Sequence, residues 1–127
     1  MDRVKIINTL GLVPGGTLTI SETILHQWGR ELIFECDYQT TQPDDKLDPM
    51  ISFQLIFRDC REMKWRSYAH IALSEMGEIA PSTEIVDMLL GLGNHRRDAN
   101  VLATHFAITV SFGEIWLNYK GELYQVA

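Results

Sequence analysis

Residues 106–119 read FAITVSFGEIWLNY, with apolar and polar side chains alternating on both sides of Phe112 and Gly113. Folding residues 106–110 back on 115–119 about that pair sets Val110 against Ile115, Ile108 against Leu117 and Phe106 against Tyr119. The opposite face then matches Ala107 with Asn118 and Thr109 with Trp116. Turn chemistry and cross-strand matching agree, which predicts an antiparallel β-hairpin. Lys120 and Gly121 supply the next reversal, so residues 122–126 are expected as a further strand.

The same period of two recurs upstream. Ile51, Phe53, Leu55 and Phe57 alternate with Ser52, Gln54, Ile56 and Arg58, the pattern of a half-buried strand. Folding about Cys60 sets Phe57 against Met63 and Leu55 against Trp65, a second expected hairpin. Its alternative is one continuous strand, which aims Asp59 and Arg61 inward. Nearer the start, an extended stretch from Thr17 to Trp28 meets a reversal at Gly29 and Arg30. That register pairs Leu25 with Phe34 and puts Leu32, Cys36 and Tyr38 on the core side. The other side then carries Glu22, His26, Trp28, Glu35 and Asp37, relieved by Ile24 and Ile33.

Two segments break this pattern. Residues 4–12 are apolar with an ambiguous period, open to a short strand or a short helix, and Pro14, Gly15 and Gly16 end them. Between Ile71 and Gly93 there are acidic residues and no basic ones. Ser82 after Pro81 serves as an N-cap, Glu84 sits in the first turn, and Ile85, Met88, Leu89 and Leu92 form one stripe, so a helix is predicted there. The fold class expected is therefore β-rich α+β. Seven to eight strands in antiparallel hairpins form a sandwich or an incomplete barrel, with one amphipathic helix, in a single domain over residues 1–127.

At 127 residues and 46% hydrophobic, the chain has the size to bury one core without a metal or disulfide. A net charge of −6 and a pI near 5.1 give no electrostatic footprint for nucleic acid or anionic lipid. No run approaches a membrane span and no secretory signal is visible. Cys36 and Cys60 form no CxxC motif and are too few for a disulfide framework, so a reducing cytoplasm is expected.

Four groups of residues invite chemistry. Cys60, at the expected hairpin tip beside Arg58, Asp59 and Arg61, is a candidate reactive thiol, since guanidiniums lower a thiol's pKa; no histidine is tied to it by spacing, and an ordinary surface thiol is the simpler reading. Glu22, placed opposite Asp37 with His26 and Glu35 on the same face, offers a candidate divalent-metal or acid–base site, although Ile24 and Ile33 stand in its middle. Asp44, Asp45 and Asp48 lack the spacing of a calcium loop. Gln54, Arg58, Lys64, Arg66 and Tyr68 share the polar side of the expected central hairpin, a candidate basic surface for an acidic protein partner. The bland alternative pairs these cations with the chain's own acidic segment. His70, His95 and His105 show no close pairing of the zinc-binding kind, and no glycine-rich turn has the context of a phosphate loop.

In general character the chain resembles small β-rich bacterial proteins, some of them of the immunity type, but no motif carries that resemblance and no residue role follows from it. No catalytic constellation and no cofactor is expected. The reading is a cytoplasmic, non-enzymatic binding or accessory protein of an immunity-like or regulatory kind, working through protein contacts or self-association. A small apolar ligand held between the sheets is the first rival, and a hydrolase using Cys60 or the Glu22 face the second.

Overall fold

The computed structural model describes residues 3–12, 17–40, 49–67, 98–102 and 106–127. The predicted helix between Ser82 and Leu92, the three aspartates of residues 44–48, Tyr68, and His70, His95 and His105 lie outside them. Among the described residues one helix, α1 (Arg3–Leu10), precedes eight strands: β1 (Thr17–His26), β2 (Glu31–Gln39), β3 (Ile51–Arg58), β4 (Glu62–Ser67), β5 (Asp98–Leu102), β6 (Phe106–Ser111), β7 (Glu114–Tyr119) and β8 (Glu122–Gln125). A five-stranded sheet runs in the order β1-β2-β3-β7-β8 and a three-stranded sheet in the order β4-β6-β5, all antiparallel. The sheets are open, not closed into a barrel, which matches the expected β-rich α+β class.

Alternation places the core as read from sequence. Leu32, Phe34, Cys36 and Tyr38 on β2, Phe53, Leu55 and Phe57 on β3, and Ile115 and Leu117 on β7 are buried together with Phe106, Ile108 and Val110 on β6. Aromatic rings thread this interior and reach the surface at Trp65, which is 51% exposed. Trp65 stacks on Phe106 at 4.6 Å, Phe106 lies 6.2 Å from Phe34, and Phe57 meets Phe34 and Phe112 edge-to-face at 5.6 Å each. Rings in such arrangements add about 0.5–1.5 kcal/mol per pair beyond the area they bury.

The ambiguous segment 4–12 is helical. Ile6 and Leu10, one turn apart, are both buried in the core. Gly11 follows at φ 66°, and the Leu12 N–H donates to the Ile7 carbonyl at 3.1 Å. That six-to-one bond across a left-handed glycine is a Schellman stop, so the helix ends at Gly11, ahead of Pro14.

Neither of the hairpins expected at Phe112 and at Cys60 forms. β6 pairs with β4 and β5, and β7 with β3 and β8. Since β3 runs into β4 and β6 into β7, the pairs β3–β7 and β4–β6 are two halves of one ribbon that bends from sheet to sheet. Between Arg58↔Glu114 and Glu62↔Ser111, three residues on one strand (Asp59, Cys60, Arg61) face two on the other (Phe112, Gly113). The extra residue is a bulge, the usual device for turning a strand through a corner. Matched apolar residues satisfied the hairpin reading because Ile108 and Val110 do meet the side bearing Ile115 and Leu117, but across the interior and not side by side. The turn from β7 to β8 is as expected: Lys120 and Gly121 both have positive φ, 52° and 80°, the two-residue turn whose twist suits a hairpin.

The hairpin of β1 and β2 forms with a shifted register. Leu25 stands opposite Leu32 and not Phe34, and Glu22 opposite Glu35 and not Asp37. A 3-10 turn over Gln27–Gly29 makes the loop longer than the expected two residues, and a bulge between Ile20 and Glu22 shifts the pairing again. The shift near the turn is by two, so each residue keeps its face.

Candidate functional site: a cleft beside the crossing corner

Two chain segments converge at one end of the molecule, and backbone hydrogen bonds tie them. The Cys60 N–H donates to the Arg30 carbonyl at 2.9 Å, Arg61 to Ser111 at 3.0 Å and Gly113 to Arg58 at 2.9 Å. The β1–β2 loop is thereby fastened to the corner of the ribbon. Asp59, left-handed at φ 54°, closes the joint with its carboxylate: Oδ1 accepts from Arg30 Nη2 and Oδ2 from Arg61 Nη2, both at 3.2 Å. These bonds, Arg61 first and then Arg30, hold the Asp59 carboxyl below the ordinary carboxylate range.

Beside this joint a cleft of about 690 Å³ opens between the edge of β1 and the start of β4. Leu25 and Met63 form apolar walls, Cys60 lies at its back, and Arg30, Arg61 and Glu62 rim it. Trp28 stands at its mouth, fully exposed. Its backbone is left-handed at φ 61°, between Gln27 at 51° and Gly29 at 89°. A bulky residue in that region is uncommon and costs about 1–3 kcal/mol, and such strain gathers at functional sites. Sequence reading placed Trp28 merely on a strand face; the available signal was a large aromatic directly before a glycine at a reversal.

Cys60 is not a surface thiol. It is buried, its Sγ donates to the Phe57 carbonyl at 3.4 Å, and burial pushes its pKa up to about 11, with Asp59 and Glu31 adding to the rise and a backbone bond from Leu32 opposing it. Of the neighbouring guanidiniums, Arg61 is spent on Asp59 and Arg58 on Glu31. Cys36, deep beside Phe34, is also pushed up by burial, and both cysteines are free.

The acidic face is not gathered into a ligand set. Glu35 accepts a hydrogen bond from Gln54, Asp37 accepts one from Ser52 at 2.7 Å, and His26 stands opposite Glu31. Among the described residues no three His, Cys, Asp or Glu side chains come close enough to hold a metal ion.

The basic surface is divided. Gln54 and Arg58 lie on the outer face of the five-stranded sheet, where Gln54 Oε1 accepts from Asn118. Arg58 lies over the Trp116 ring at 5.2 Å and 3.5 Å from Glu31 Oε2. Lys64 and Arg66 are on β4 in the other sheet, exposed and opposite Thr109 and Ala107. Because the strand crosses at Cys60, residues expected to be side by side on one hairpin belong to different layers.

Among the described residues no helix is long and apolar enough to cross a membrane. Compared with family models, curated proteins and solved structures, the chain gives no match.

Proposed function

We propose that this chain is a non-enzymatic binding protein of the cytoplasm that acts through contact with another protein at the Trp28 cleft. The observation that carries the reading is Trp28 itself, an aromatic held fully in solvent on a left-handed backbone at the mouth of an apolar cleft. Tryptophan and arginine are the residues on which protein interfaces concentrate their energy, and here Arg30 and Arg61 flank the tryptophan. Two unpaired cysteines suit a reducing compartment.

A photo-crosslinking residue in place of Trp28, expressed in the native host, is expected to trap a protein adduct, while the same residue in place of Leu123, exposed on β8, traps none. Adducts at neither position, or equally at both, overturn the reading. A second reading has one observation in its favour: the cleft, walled by Leu25 and Met63, falls within the roughly 300–1,000 Å³ of small-molecule sites. An excess mass in native mass spectrometry that disappears in Met63→Asp would select it.

A further inference from the structure

We propose that the open edge of β1 pairs antiparallel with β1 of a second copy of this chain, about a two-fold axis through Ile24, alongside the cleft that Leu25 helps to wall. Among the described residues β1 pairs only with β2 and leaves its other side open; at ten residues it is the longest edge, whereas β8 has four. The edge strand β4 is guarded by exposed Glu62, Lys64 and Arg66, the charged residues that commonly discourage edge pairing. β1 has a single guard, the bulge between Ile20 and Glu22, and beyond it runs a regular stretch, Glu22-Thr23-Ile24-Leu25-His26.

Symmetry narrows the register. A two-fold axis perpendicular to the sheet keeps each face on its own side, so one residue must lie on the axis and meet itself. With Thr23 there, Glu22 meets Ile24. With Leu25 there, Ile24 meets His26 and Thr23 meets left-handed Gln27. With Ile24 on the axis the pairs on the outer face are complementary, Ile24 on Ile24 and Glu22 on His26 twice, while Thr23 stands beside Leu25 on the other face.

The match supplies what each copy lacks. Glu22 faces Glu35 within its own sheet, an opposition that disfavours both carboxylates. The second copy's His26 offers it an imidazole N–H in either charge state, and a cation when protonated. Leu25, 59% exposed, gains a neighbour. The outer-face row Ile24, Ile33, Ile56 and Trp116 becomes continuous from one copy to the other.

Sedimentation equilibrium over a concentration series tests this. The wild-type chain is expected to form a reversible dimer. Glu22→Arg or His26→Glu alone should weaken it about tenfold, since two cross-strand pairs change from attraction to repulsion, and the double variant should restore it by exchanging the signs. Ile24→Cys should be captured as a covalent dimer by a short bismaleimide, while Leu123→Cys on the β8 edge and the wild type, with both cysteines buried, are not. A chain that is monomeric throughout, a dimer indifferent to the charge variants, a double variant no better than the singles, or equal capture at positions 24 and 123 would overturn the proposal. Should Ile24→Cys fail to fold, the charge exchange alone decides.

Discussion

The β1–β2 loop and the β3–β4 corner lie against each other, and both use left-handed non-glycine residues, Gln27 and Trp28 in one and Asp59 in the other. The loop returns the chain to its own sheet, while the corner hands it to the opposite one. The difference is visible in the residue at the centre. Trp28 is in solvent, whereas Cys60 and its counterpart Phe112 are buried at 7% and 4% exposure. A hairpin tip projects beyond its sheet and can bury little, so an apolar residue at the middle of a reversal that lies in the core marks a crossing. Local turn chemistry does not separate the two cases; burial does.

The sharpest way to break this comparison is to truncate both centres. Phe112→Ala should cost about 3–5 kcal/mol in urea unfolding, as removal of a packed aromatic does, while Trp28→Ala should stay within about 0.5 kcal/mol. Similar losses would mean that Phe112 sits at a hairpin tip after all. Thiol labelling comes next. With its pKa at about 11, Cys60 should react at neutral pH roughly a hundredfold more slowly than an unhindered thiol. Its rate should climb as pH approaches 11, and Cys36 should label only on unfolding. Mass-resolved labelling of the native chain measures both, and rapid neutral-pH modification of Cys60 would remove it from the corner.

A third test concerns the close approach at the joint. A Cβ on Gly113 would lie 2.9 Å from the Asp59 Cβ and 2.8 Å from its Oδ2, so Gly113→Ala should destabilise by about 1–3 kcal/mol. Asp59→Gly in the same chain should recover part of that loss; strictly additive losses would show that the two residues do not touch. The smallest effect is the acid response of the same carboxylate. Its folded pKa is depressed, so its contribution is present above the ordinary carboxylate pKa and is lost as pH falls through the folded value. Melting curves below about pH 4 should therefore fall less for Asp59→Asn than for wild type. Solvent screening keeps the difference small, and a larger acid loss in the variant would contradict the Arg30 and Arg61 pairing.

Much of the candidate site escaped sequence reading for the same reason that the corner did. Cys60 among arginines looked like an activated thiol on the assumption of a hairpin tip; once the strand crosses, the thiol is inside, with Arg61 outside on Asp59 and Arg58 on Glu31. Arg58 and Lys64 looked like neighbours on one polar face and belong to different sheets. Trp28, Leu25 and Met63 come from separate elements, and only the fastening of Cys60 to Arg30 brings them to one cleft.

What the sequence by itself determined is which residues face inward: the period of two in β2, β3, β6 and β7 predicts the buried set, and it survives a register error of two because such a shift preserves the face. Lys120 and Gly121 likewise determined their turn, since positive φ at two successive positions is a local requirement. Which strands become neighbours was decided only by the tertiary structure. Two matched apolar strands can bury the same side chains side by side or face to face, and the two arrangements differ in long-range closure: the bulge at Asp59–Arg61, the close contact at Gly113, and the ribbon that passes from one sheet into the other.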